Sequence, residues 1–301
     1  MDYFLYGAPK ILPGEALSSW IHRLCQQQGF SMSNLFEILG AKKPKDVDRE
    51  LFSIWVSNLM QLCRIAPHSF DIPIAVSKAV GKTRPLRQHL RITNNKAPWT
   101  AFCPQCLKHD AIPYFRIEWR FRFWESCPRH LIPLFTECPN CKSKLQLDKA
   151  ILTSIEVLPT LAFCYFCHAE LKSGGEDMSL LADDELEVKV HTQRNMMASI
   201  VNGYCLVSPL QEKLSLHVMM RLYQTGLLMP ASRLDFDRPC QPRQKEVLLR
   251  FVRTAQIKLR KRELLHERAG RRRKTFRNNH VAQQSTIEEL VRLPNWAYKM
   301  R

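Results

Sequence analysis

Four pairs of metal-ligating residue types recur at one spacing between positions 103 and 167: Cys103-Pro104-Gln105-Cys106, Cys127-Pro128-Arg129-His130, Cys138-Pro139-Asn140-Cys141 and Cys164-Tyr165-Phe166-Cys167. A two-residue gap lets one tight turn aim both ligands at a single ion, and two such turns complete a tetrahedron around zinc. Proline directly after Cys103, Cys127 and Cys138 suits the fixed turn of a zinc knuckle. Twenty residues separate the first two pairs and twenty-two the last two. Sequential pairing gives one site of Cys103, Cys106, Cys127 and His130, and a second of Cys138, Cys141, Cys164 and Cys167. A cross-braced arrangement, first pair with third and second with fourth, satisfies the same chemistry. Sequential pairing is preferred because it closes shorter loops. Either way the chain holds two zinc ions, each with four protein ligands and no position left for water, so both sites read as structural. The competing reading is seven small buried hydrophobes and a stray histidine, since free cysteine is commonly buried. Four repeats of one spacing argue against it. Cys25, Cys63, Cys205 and Cys240 lack such partners and read as core or surface residues.

Catalysis needs more than this. Metal-dependent nucleases framed by cysteine pairs add His and Asp residues that hold a catalytic ion and activate water. Only His109, Asp110 and Asp148 remain between the pairs, and His109, with no second histidine near it, reads as a loop residue. No Gly-rich phosphate loop, His-Glu-x-x-His motif or Ser/His/Asp set stands elsewhere. The chain is therefore expected to be a zinc-stapled binding protein, with no catalytic residues and no enzyme activity.

Charge points to the partner. Lys and Arg total 45 against 28 Asp and Glu, a net charge of +17 over 301 residues. That balance favours a polyanion, nucleic acid first of all. The basic residues concentrate late: Gln241 to Arg277 holds fourteen Lys/Arg against three Asp/Glu, ending in Arg271-Arg272-Arg273-Lys274. That run is a candidate phosphate-contacting segment, weighed against a solvated tail. The N-terminus lacks a secretory pattern, and the apolar stretch from Ile151 to Phe166 is interrupted by Glu156 and Pro159. The expectation is a cytoplasmic protein with reduced cysteines and no membrane contact.

The elements that carry these residues read as mainly α with small β zinc ribbons. Leu17, Trp20, Ile21, Leu24 and Cys25 form one helical stripe, Gly29 sits at a left-handed C-cap, and Ser31 or Ser33 can cap a second helix through Leu35, Phe36 and Leu39. Gly40 closes it, and the pair matches a helix-turn-helix over 15–40. Val47 to Cys63 predicts a third helix with Leu51, Trp55 and Leu59 at four-residue spacing, ended by Pro67. The expected organisation is a helical helix-turn-helix-like domain over 1–98 and a tandem zinc region over 99–171. An acidic linker over 172–188 and a basic helical C-terminal domain over 189–301 follow. Ser31 to Leu39 contains no Arg or Lys, a poor composition for reading guanine or phosphate, so this module is expected to dock on protein.

Two stretches carry a family resemblance. Pro13-Gly14-Glu15-Ala16-Leu17-Ser18-Ser19-Trp20-Ile21-His22-Arg23-Leu24 followed by Gly29-Phe30-Ser31, and Phe102-Cys103-Pro104-Gln105-Cys106-Leu107 followed by Pro113-Tyr114-Phe115-Arg116, Trp119-Arg120, Cys127-Pro128-Arg129-His130 and Cys138-Pro139-Asn140-Cys141, resemble the TniQ/TnsD family of transposon target selectors. Together they cover about the first 170 residues; the remainder resembles the family in helical character alone. Trp20, Trp119 and Trp124 read as packing residues, because small metal domains are short of apolar side chains. The modest length favours the TniQ type. The resemblance implies a bacterial, DNA-associated adaptor that joins a CRISPR Cascade effector with its guide RNA to the AAA+ regulator TnsC on target DNA. It also implies a homodimer. The alternative is a TnsD-like selector or regulator that reads DNA directly.

Overall fold

The computed structural model describes residues 5–51, 53–146, 161–173, 183–207 and 212–224, together with Thr254. The chain divides into two units, Met1–Leu248 and Leu249–Arg301, and the architecture below is that of the first. It is mainly helical, and none of its described helices is long and apolar enough to cross a membrane.

Helix α1 (Leu17–Gln28) buries Leu17, Trp20, Ile21, Leu24 and Cys25 completely, as the stripe requires. It stops at Gly29, whose φ of 68° is open to a residue without Cβ. Helix α2 (Met32–Ile38) starts at Ser31, whose hydroxyl accepts from the Asn34 amide at 3.2 Å, while Ser33 lies exposed within the helix. Helix α3 (Ile54–Leu62) is shorter than the Val47–Cys63 stretch predicts. Val47–Arg49 instead makes a 3-10 turn, because Asp46 and Asp48 are drawn inward to meet a distant arginine. The core between these helices is aromatic: Trp20 meets Phe70 edge-on at 5.4 Å, and Phe36 packs on Trp55 at 4.9 Å.

The opposite face of α1 is buried as well. Ser18, Ser19, His22 and Arg23 are all inside, and two polar clusters hold Ser18, Ser19 and Arg23 there. In the first, the Arg23 guanidinium donates from Nε to Glu15 Oε1 and from Nη2 to Glu15 Oε2, both at 2.9 Å, and Ser19 Oγ donates to Glu15 Oε1. Both carboxylate oxygens are thereby satisfied in a fully buried position. In the second, Asp48 caps α1 from thirty positions away, accepting from the Ser18 amide at 2.8 Å and the Ser18 hydroxyl at 2.9 Å. Ala16, at the helix's own cap position, offers no side chain for that task. Arg120 completes the cluster, with Nη1 2.6 Å from Asp48 Oδ2 and Nη2 2.9 Å from Asp46 Oδ2.

Helices α4 (Asp71–Lys82) and α5 (Arg84–Gln88) lead to the cysteine region, which opens with α6 (Pro104–His109). The backbone on either side of position 98 is joined directly. The Ala16 amide donates to Phe115 O at 2.9 Å, Ile117 to Gly14 O at 2.8 Å, and Phe115 to Ser19 Oγ at 3.0 Å. Gly14 sits at φ 66° in this crossing. The Pro13–Trp20 stretch is thus an adhesive for the cysteine region.

Beyond it, α7 (Asp183–Asn202) begins inside the acidic stretch, where acidic residues in a first turn favour a helix. It packs on α4 and leads through an antiparallel pair, β1 (Tyr204–Val207) and β2 (Glu212–Ser215), to α8 (Leu216–Gln224), which packs on α5. Gln193 of α7 is buried and acts as a strand in miniature. Its Oε1 accepts from the Glu125 and Ser126 amides, and its Nε2 donates to Ser126 O at 3.1 Å. Gln193→Ala leaves these backbone groups unpaired next to Cys127, and should lower stability by about 1–3 kcal/mol. Urea unfolding with an unchanged midpoint would show that α7 is not anchored this way.

Candidate metal centres

Each Cys/His pair is built by a local turn, and three of the four turns share one geometry. The residue after the second ligand takes positive φ: Leu131 at 53°, Lys142 at 58° and His168 at 57°. Its amide donates back to the first ligand's carbonyl, Leu131 to Cys127, Lys142 to Cys138 and His168 to Cys164, at 2.8–3.0 Å. The first ligand's own amide donates forward five residues, to Ile132, Ser143 and Ala169. The first turn differs because it runs straight into α6. Cys103 is that helix's cap, its Sγ accepting from the Cys106 amide at 3.4 Å, and Pro104 occupies the first helical position, where no amide is needed.

The structure gathers the pairs in sequence order. Cys103, Cys106, Cys127 and His130 form one group and Cys138, Cys141, Cys164 and Cys167 the other, with all ligand atoms of each group within 4.8 Å of one another. In the first, His130 Nδ1 lies 3.4 Å from Cys103 Sγ, 3.4 Å from Cys106 Sγ and 3.6 Å from Cys127 Sγ. In the second, Cys138 and Cys167 are 3.7 Å apart at sulfur, as are Cys141 and Cys164. A zinc–sulfur bond of about 2.3 Å makes the edge of a tetrahedron about 3.8 Å. Both donor sets therefore fit a zinc ion with four protein ligands. Around them β structure is limited, among the described residues, to isolated bridges such as Phe102 with Phe135, Ser126 with Pro133 and Phe163 with Glu170.

Crowded thiols need a cation. Hydrogen bonds with Cys103 and Cys127 push Cys106 far up from its ordinary value, while Cys103 and Cys106 donating to Cys127 pull that thiol down to about 2. In the second group burial pushes Cys164 up to about 12, and the Asn140 side chain pulls Cys167 down to about 6. Crowding thus holds part of each group protonated, and a divalent ion would let its thiols ionise together.

His109 corrects the sequence reading. It closes α6 and is no loop residue, and its Nδ1 lies 3.3 Å from His130 Nε2. His130 Nδ1 faces the sulfurs, and with a metal bound there its Nε2 would carry the proton and donate to His109, as outer partners of metal-bound histidines accept from the free ring nitrogen. Asp110 is also engaged, receiving Arg116 Nη2 at 2.9 Å and Arg129 Nη1 at 2.8 Å. Arg116 in turn lies between the rings of Tyr114 and Trp119, at 4.4 and 5.0 Å. The Pro113–Arg116 stretch thus braces the first group. Cys25, Cys63 and Cys205 are buried away from both groups. Cys240, Asp148 and the Arg271–Lys274 run lie outside the described residues.

Residues 7–134 match the model of the TniQ family. The chain carries a TniQ domain. The match spans the helical core, both polar clusters and the first Cys/His group, and it ends before Cys138, so the second group lies beyond it. TniQ proteins act in target selection for Tn7-like transposition, with TnsC and target DNA. No curated protein matches the chain.

Proposed function

We propose that this chain is a target-selection adaptor that links an RNA-guided recognition complex, a Cascade effector with its guide RNA, to the TnsC ATPase on target DNA. The TniQ match over 7–134 carries the reading. In support, the outward face of α2 carries Ser33, Asn34, Glu37 and Ile38, with no cation, which suits a protein surface better than a DNA groove. That face is the site for the effector or for a second copy of the chain, and the protein acts as a homodimer. Zinc held by Cys103, Cys106, Cys127 and His130, and by Cys138, Cys141, Cys164 and Cys167, keeps the scaffold rigid and takes part in no chemistry. Arg271, Arg272, Arg273 and Lys274 contact phosphates without sequence preference.

The test is co-purification of the tagged chain with its effector and guide RNA, then with TnsC, each with and without DNA. The expected result is a DNA-independent complex with the loaded effector, lost on Ile38→Glu with zinc content intact. Tight binding to one duplex sequence with no effector present would establish the direct-reading alternative, which the net charge of +17 favours.

A further inference from the structure

A cleft of about 790 Å³ is lined by Arg91, Asn94, Trp99, Arg122, Lys144 and Gln146 among others. We infer that this cleft binds the phosphodiester backbone of a nucleic acid. Three segments distant in sequence bring cations to it, and none of the described lining residues is acidic. The Arg91 guanidinium lies 5.1 Å from the Trp99 ring centroid and the Lys144 ammonium 5.0 Å from it, so the indole gathers two positive charges at one place. Glu125, the carboxylate that acts on Arg91, is not part of the lining.

The walls are rigid. Arg91 donates to Trp119 O at 3.2 Å and Trp124 O at 3.1 Å, which holds its charge in place as a fixed part of the floor. Backbone bonds join the walls: Trp99 N to Arg91 O, Thr100 N to Leu145 O, and Arg122 N to His89 O. The Thr93–Ala97 turn forms the rim, closed by Thr93 N to Ala97 O and by Ala97 N to Thr93 Oγ1. Arg122 and Lys144 are exposed and make no ion pair among the described residues, so both heads are available to phosphate oxygens. Gln146 adds a second observation. Its Oε1 is buried with no hydrogen-bond partner among the described residues. Rotation of that side chain toward the cleft offers the oxygen to a sugar hydroxyl or a base N–H, either of which supplies the missing donor. The inference rests on the cleft and not on the adaptor reading.

The test uses the full chain with Arg271, Arg272, Arg273 and Lys274 all changed to Gln, so that the basic run contributes equally to every measurement. Arg122→Gln/Lys144→Gln is compared with a control of equal charge loss on α4, Lys78→Gln/Lys82→Gln, by anisotropy with 20-nucleotide RNA and DNA strands over a salt series. The cleft variant should bind about tenfold more weakly, and its slope of log affinity against log salt should fall by about 1.4, two single-strand phosphate contacts. In the same background Gln146→Ala reports on the unpaired oxygen: a loss larger for RNA than for DNA assigns its partner to the ribose hydroxyl, and equal losses assign it to a base. No loss, or a loss matched by the control, overturns the proposal.

Discussion

Cys106→Ser should yield no folded TniQ domain, while Cys141→Ser should yield a folded one with a single zinc. Binding of structural zinc is worth about 10–16 kcal/mol, which equals or exceeds the whole stability of an ordinary domain. The two groups differ in what depends on them. Cys103, Cys106 and Cys127 are at most 2% exposed, and the chain between them carries Phe115, Trp119 and Arg120 into the shared core with α1. Without an ion here the frame on which Arg120 is presented to Asp46 and Asp48 should be lost. The second group sits at an edge, with Cys141 and Cys167 partly exposed and beyond the family match. Its loss should expose residues 138–171 to limited proteolysis and leave 7–134 intact. Soluble yield, zinc content and the protease map decide between these outcomes. A Cys106→Ser protein that melts like the wild type would show that the first group is not a structural metal site.

Arg120→Ala should destabilise the protein by about 3–5 kcal/mol, the usual cost of removing one partner from a buried ion pair. Arg120 is 1% exposed and holds two carboxylates, Asp46 and Asp48, that face each other once it is gone. Burial already raises the Asp48 carboxyl above its ordinary value, against the pull of Arg120. Without the guanidinium it rises further. A carboxyl raised in the folded state binds its proton there before the unfolded chain does, so the variant should gain stability as pH falls from 7 towards 5. Neutralising all three residues, Asp46→Asn/Asp48→Asn/Arg120→Met, should recover much of the loss, since the penalty comes from unpaired charge. Denaturant midpoints across pH measure both effects. An Arg120→Ala variant with unchanged stability would show that this cluster does not hold the fold.

The ligands were legible because their information is local: residue type and a two-residue gap suffice, and loop length favoured the sequential grouping that the structure displays. The knuckle turns were not. Their positive-φ positions hold Leu131, Lys142 and His168, none of them Gly, so the residue that usually marks such a backbone is absent. Helix α1 was legible in its apolar stripe and in its Gly29 C-cap, but nothing local marks its polar face as buried. Ser18, Ser19 and Arg23 are buried by partners up to 96 positions away, and no periodicity reports on such pairs. The same blindness explains the overlong third helix: Asp46 and Asp48 follow Arg120 and override the apolar spacing of Val47 and Leu51. His109 was set aside for want of a second histidine nearby in sequence, but that histidine was His130, brought 3.3 Å away by the first centre itself.

Two closed four-ligand zinc sites, the first essential to the TniQ domain and the second to the segment after it, are tested most directly by native mass spectrometry of the folded chain. The expected mass is that of the chain plus two zinc ions. The first ion to leave under a graded chelator should come from the Cys138–Cys167 group, read by alkylation of Cys141 and Cys167 before Cys103 and Cys106. A folded chain that carries one zinc or none, or whose buried and edge thiols react together, would contradict it.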